Sequence, residues 1–140
     1  MTLDPLTRIR RYTSDIVDEE RLVELLGRGG APLRVKFGID PTFTDVHLGH
    51  GVPIRLLATF QELGHLPVLI LGDGTARLGD PTGRNDQRPP LSADEVATNA
   101  ATYLDQIGLL LDLDPSRCEI RRNSEWFGGM DFFDALKLAA

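Results

Sequence analysis

Between Leu33 and Leu63 the sequence changes its apolar period once, abruptly, and that change restricts the chain to few architectures. Leu33, Val35, Phe37 and Ile39 alternate with Arg34, Lys36 and Gly38, the period-two pattern of a strand. Val52, Ile54, Leu56, Leu57, Phe60 and Leu63 then include the three- and four-residue spacings of an amphipathic helix. Between the two, Asp-Pro-Thr breaks the strand, and His47-Leu-Gly-His50 brings a small residue to the helix start. Such a strand, loop and helix start aims unpaired backbone N–H groups, and the positive end of the helix dipole, at whatever sits above it. An anion is the ligand that geometry favours. Pro53 is expected in the first helical turn, where its missing N–H is no loss, so that it sets where the helix begins.

The rest of the chain extends this unit. Ser14 or Asp15 opens a short amphipathic helix predicted to run to Gly29, with its acidic residues early. Leu66–Leu71 is a continuous apolar run, predicted to be a strand buried on both faces, and strand–helix–strand makes a βαβ unit. The stretch from Gly72 to Pro90 is too rich in Gly, Pro and Asp to be regular throughout, and loops this long are usually functional or mobile. Ser92 with Glu95 forms a capping box for a helix carrying Val96, Ala100, Tyr103, Leu104, Ile107, Leu110 and Leu111. Cys118–Arg122 reads as a third strand, Asn123–Gly129 as a loop and Phe132–Ala139 as a further helix. The fold class is α/β, a parallel sheet with flanking helices.

Composition narrows the function classes. A formal net charge of -6 argues against a surface that is wholly a nucleic-acid footprint, although Arg77, Arg84, Arg88, Arg117, Arg121 and Arg122 concentrate positive charge in the middle and late chain. The single Cys118 makes no intrachain disulfide and supplies no metal site, which suits a reducing compartment. No apolar run approaches membrane-spanning length, and the first residues lack a signal-peptide pattern, so a cytoplasmic protein with no membrane partner is expected.

Two histidines in a loop are, taken alone, a surface residue and a helix cap. The preceding strand, Gly49, and the Thr42 hydroxyl across the same loop instead describe a triphosphate cradle, in which His47 and His50 donate hydrogen bonds to oxygens gaining charge in phosphoryl or nucleotidyl transfer. In the second loop, Asp80 is either an acceptor for an ammonium group or an Asx-turn residue. Arg84 and Arg88 are either bidentate partners of pyrophosphate or a solvated rim. Asp73 and Thr75 follow the second strand, where open α/β sheets bind ligands.

Four blocks carry a resemblance in order and with matching spacing: Phe37-Gly-Ile-Asp-Pro-Thr through His47-Leu-Gly-His50, Phe60-Gln-Glu-Leu-Gly-His65, Leu71-Gly-Asp-Gly-Thr-Ala-Arg-Leu-Gly-Asp-Pro-Thr-Gly-Arg84, and Asn123-Ser-Glu-Trp126. From about Leu33 onward the chain resembles the first half of the catalytic domain of bacterial tyrosyl-tRNA synthetases, class I enzymes with a Rossmann-like fold. An N-terminal helical segment is expected over 1–30, and for 31–140 the resemblance implies the first half of an ATP- and tyrosine-binding domain. It implies tyrosine-tRNA ligase chemistry, with tyrosine and ATP forming tyrosyl-adenylate for transfer to tRNA(Tyr), and Mg2+ accompanying ATP. By motif position, His47, His50 and Thr42 would be catalytic, with Gly38, Asp40, Gly49, Arg84 and Arg88 completing the ATP side. Thr75 and Asp80 would meet the amino acid. Lys36 stands where one branch of the family has a tyrosine that reads the phenol and a second branch has lysine. No residue is assigned to a metal, and a homodimer is a candidate assembly. A Lys-Met-Ser-Lys-Ser-type loop does not occur in the chain, so weak or absent turnover is expected of it alone. The alternatives are a non-enzymatic nucleotide-binding or docking module and a small nucleotidyltransferase.

Overall fold

The protein is seen in a computed structural model that describes residues 3–78 and 90–139. The three strands β1 (Arg34–Ile39), β2 (Leu66–Leu71) and β3 (Glu119–Arg122) pair in parallel in the order β1-β2-β3. Ile39 lies opposite Leu71, and Leu71 opposite Arg122, so all three strands end together at one edge. Helix α3 (Leu48–Glu62) connects β1 to β2, and α4 (Ala93–Ile107) lies between β2 and β3.

One face of the sheet carries the core. Ile39, Leu69 and Leu71 project toward Ile54, Leu57 and Ala58 of α3 and toward Ala100, Tyr103 and Ile107 of α4, all buried, with Val35 and Phe37 packed against them. The alternation in β1 is therefore the sheet's sidedness written into sequence. The α4 start is equally local: Ser92 N–H donates to Glu95 Oε2 at 2.8 Å and Glu95 N–H to Ser92 Oγ at 3.2 Å, the reciprocal capping box.

Several expectations need correction. Helix α3 begins at Leu48, which places Pro53 inside the helix rather than in its first turn. Proline has no N–H to give the carbonyl four residues back, so Gly49 C=O loses its helical donor. Helix α2 (Glu19–Gly27) starts later than Asp15, because Asp18 at its entrance adopts a left-handed conformation, φ 57° and ψ 47°, and makes no side-chain cap. Asp15 instead accepts from Ile16 N–H at 2.9 Å. Within the N-terminal segment a separate helix, α1 (Pro5–Arg10), precedes α2, and its signals are local: Asp4 Oδ1 accepts from Thr7 N–H at 3.0 Å, and Pro5 fills the first helical position. Arg8 pairs with Glu62, tying α1 to α3. A 3-10 turn (Thr75–Arg77) follows β2, and a short helix α5 (Ser124–Phe127) interrupts the predicted loop before α6 (Phe132–Ala139).

Strand β2 is not buried evenly. Val68 is buried but Ile70, on the same face, is only half-buried. Together with Arg34, Lys36, Arg121 and Trp126 they line an open hollow of about 420 Å³ on the face opposite α3 and α4.

Candidate active site

The site is assembled where the three strands end. Asp40 leaves β1, Gly72 to Thr75 leave β2, and Asn123 with Ser124 leaves β3. Thr75 Oγ lies 2.9 Å from Asp40 Oδ1 as its donor, and 3.2 Å from Gly72 O. Asn123 Nδ2 donates to Thr75 Oγ at 2.8 Å, while Asn123 Oδ1 accepts from Gly74 N–H at 2.7 Å. A second clasp runs alongside, in which Asp73 accepts from Ser124 N–H at 3.0 Å and Ser124 Oγ at 2.8 Å, with Arg122 at 3.6 Å. Burial opposes ionisation of Asp73, but the Ser124 hydrogen bonds and the Arg122 charge outweigh it and hold the carboxyl below its ordinary range. Gly72 is required by this knot: a Cβ there would lie 1.7 Å from Asp40 Oδ1 and 2.6 Å from Thr75 Oγ.

Further along the chain from Asp40 is the entrance to α3. His47 is its N-cap, with extended backbone at φ -87° and ψ 170°, and its Nδ1 accepts from Gly49 N–H at 3.1 Å. His50 and Gly51 N–H groups both reach His47 O, at 2.9 and 3.3 Å. The first-turn amides from Gly49 to Gly51 therefore already have partners, contrary to the expectation that several stand open. With Nδ1 accepting, a neutral His47 carries its proton on Nε2, and that exposed nitrogen is the outward donor. Gly49 makes this possible, since a Cβ would meet the His47 ring at 2.9 Å.

The His50 ring stacks on His47, with centroids 3.8 Å apart and planes 17° from parallel. Its Nδ1 is buried and has no hydrogen-bond partner among the described residues. Burial, and secondarily the charge of His47, pushes the His50 imidazole below its ordinary value. Burial alone does the same to His65. Each folded imidazole thus binds fewer protons than its unfolded counterpart below about pH 6.5, so stability is full above that value and is lost as pH falls through it toward the folded pKa. The melting temperature is expected to be level from about pH 8 to 7 and to fall as the pH drops below about 6.5, with a shallower fall in His50→Asn. An unchanged slope in that variant would show that His50 is not responsible.

Of the residues singled out from sequence, the structure joins Asp40 to Thr75 and His47 to His50. Thr42 is half-buried in the loop between them, its N–H bonded to Asp40 O at 2.8 Å. Gly38 and Lys36 lie on β1 opposite Ile70 and Val68. Lys36 lines the hollow. Asp80, Arg84 and Arg88 lie outside the described residues. Sequence reasoning gave Asn123 no role, though it is buried and touches both Gly74 and Thr75. Its signal was an amide directly after a strand, at the edge where ligands bind.

Residues 28–140 match the family described as tRNA synthetases class I (W and Y). The chain belongs to that family. Among curated relatives of this class I synthetase chain, the tyrosine–tRNA ligase of Symbiobacterium thermophilum is 51% identical across 100% of the chain, and that of Thermotoga maritima 49% identical across 94%. The chain spans about a third of these relatives' length, 35% and 32%. A solved tyrosyl-tRNA synthetase from Archaeoglobus fulgidus, complexed with L-tyrosine, superimposes with a TM-score of 0.69 at 28% identity, covering 98% of this chain and 41% of that one. The tryptophanyl-tRNA synthetase of Plasmodium falciparum shares the fold, with a TM-score of 0.64 at 20% identity, over 91% of this chain and 37% of that one. The Rossmann-like class I architecture expected from sequence is therefore the observed one. No helix among the described residues is long and apolar enough to cross a membrane.

Proposed function

We propose that this chain is the ATP- and tyrosine-binding part of a tyrosine–tRNA ligase. One observation carries the reading: a stacked histidine pair opens α3 after β1, and the Asp40–Thr75–Asn123 knot stands at the carboxyl edge of the same parallel sheet. The curated tyrosine–tRNA ligases at about half identity favour tyrosine over tryptophan. In the reaction, a tyrosine carboxylate oxygen bonds to the α-phosphorus of ATP as the bond to the bridging oxygen of pyrophosphate breaks. Tyrosyl-adenylate then passes its acyl group to a ribose hydroxyl of tRNA(Tyr), releasing AMP. The exposed Nε2 of His47, together with His50 and Thr42, donates to the phosphate oxygens as charge shifts onto the leaving group. Gly38, Asp40 and Gly49 line the nucleotide, and Arg84 and Arg88 take the pyrophosphate side.

Tyrosine is held by Thr75 and Asp80 at its polar end, with Lys36, Ile70 and Trp126 lining the hollow for its ring. Mg2+ travels with the ATP phosphates; among the described residues no cluster of three His, Cys, Asp or Glu side chains offers it a protein cage. Phe132 and Phe133 of α6, exposed at 73% and 69%, supply apolar area that a homodimer would bury. Equilibrium dialysis with labelled tyrosine and tryptophan, each with ATP present, tests the substrate. Retention of tyrosine is expected to exceed that of tryptophan about tenfold or more. Equal retention would remove the tyrosine assignment.

A further inference from the structure

The loop from Pro41 to Val46, which joins β1 to the His47 cap, is held from outside the strand–helix unit it belongs to. Gln106 of α4 accepts from Val46 N–H through Oε1 at 2.9 Å and donates from Nε2 to Thr44 O at 3.0 Å. Asn99, buried on the same helix, donates from Nδ2 to Pro41 O at 3.2 Å. The two amides are two helical turns apart and so share a face of α4. Between them stands the buried Tyr103, whose ring centroid is 6.1 Å from that of His50. Gln106 Nε2 also lies 3.2 Å from Thr102 O, so its own helix orients the amide before it meets the loop. A carboxamide combines donor and acceptor in one rigid plane, and Gln106 uses both on backbone groups two residues apart.

We propose that Gln106, assisted by Asn99, is a positioning residue for the phosphate loop. Helix α4 sets where Thr42 and the His47 cap stand, through the loop backbone, and so tunes ATP affinity without touching the nucleotide. This rests on the ATP-binding reading above.

Calorimetric ATP titration, amide hydrogen exchange at Val46 and melting curves on the 140-residue chain test it. Gln106→Met, similar in size and unable to make either hydrogen bond, is expected to weaken ATP binding about tenfold and to speed exchange at Val46. Gln106→Glu keeps the acceptor for Val46 and loses the donor to Thr44, and is expected to fall between Met and wild type. Ile107→Val thins the packing of the same helix and should leave ATP affinity unchanged. The proposal is overturned if Gln106→Met binds ATP like wild type while His47→Ala does not. Equal affinity losses in Gln106→Met and Ile107→Val at matched melting temperature would overturn it too. If wild type takes up no ATP, the nucleotide reading itself fails and this proposal falls with it.

Discussion

Gly72→Ala is expected to weaken ligand binding severely while leaving most of the fold intact. The added Cβ would sit 1.7 Å from Asp40 Oδ1 and 2.6 Å from Thr75 Oγ, well inside van der Waals contact. The backbone cannot withdraw easily, because Gly72 N–H donates to Ile39 O at 2.9 Å and Gly72 O accepts from Ala76 N–H at 2.9 Å. The side chains must move instead. Asp40 is exposed and can turn into water, which costs about 1 kcal/mol for one lost hydrogen bond, so the loss of stability should stay within about 1–3 kcal/mol. Thr75 then loses its acceptor and the fixed position from which it meets Asn123, and affinity for tyrosine and ATP should fall on the order of 100-fold. A double-mutant cycle isolates the clash: adding Gly72→Ala to Asp40→Ala should cost far less stability than adding it to wild type. Wild-type ligand affinity in Gly72→Ala would show that the strand-end knot does not shape the site.

Much of the scaffold was legible because it is written locally or in one period. The alternation of Val35, Phe37 and Ile39 records a single covered face, and the Ser92–Glu95 box needs only four consecutive residues. The second strand was less clear. A continuous apolar run says nothing about which side faces open space, and Ile70 proved half-buried on the face of the hollow. The start of α3 was misplaced because proline restricts a helix without forbidding it. The site was read as a set of residues rather than as a geometry. His47 and His50 were identifiable from strand, glycine and helix start, but not that His47 turns back to occupy Gly49 N–H. That depends on a side-chain torsion that no spacing encodes. Asn99, Gln106 and Asn123 act across 58, 60 and 49 positions, on Pro41, Val46 and Gly74. Only the tertiary fold brings those pairs together, although polar amides on the buried face of an amphipathic helix were a visible hint.

The second large effect is expected from removing both imidazoles. Hydrogen bonds to charged groups contribute about 1.5–3 kcal/mol each, so His47→Ala/His50→Ala should lose ATP affinity on the order of 100-fold or more. The fold should persist, because His47 is exposed and His50 is only half-buried, while the nearby core of Ile54, Leu57 and Tyr103 remains. Loss of the His47 cap shortens or frays the first turn of α3, and that turn is where the ligand is expected.

The most direct test is an ATP titration followed by amide nuclear magnetic resonance. Wild type should show its largest shifts at Gly49, His50 and Gly51, the first-turn amides beneath the donating imidazoles. The double histidine variant should show none of these changes at the same nucleotide concentrations. Shifts of equal size in both proteins, or shifts confined to the far end of α3 and to α2, would contradict the assignment of the histidine loop to the phosphates.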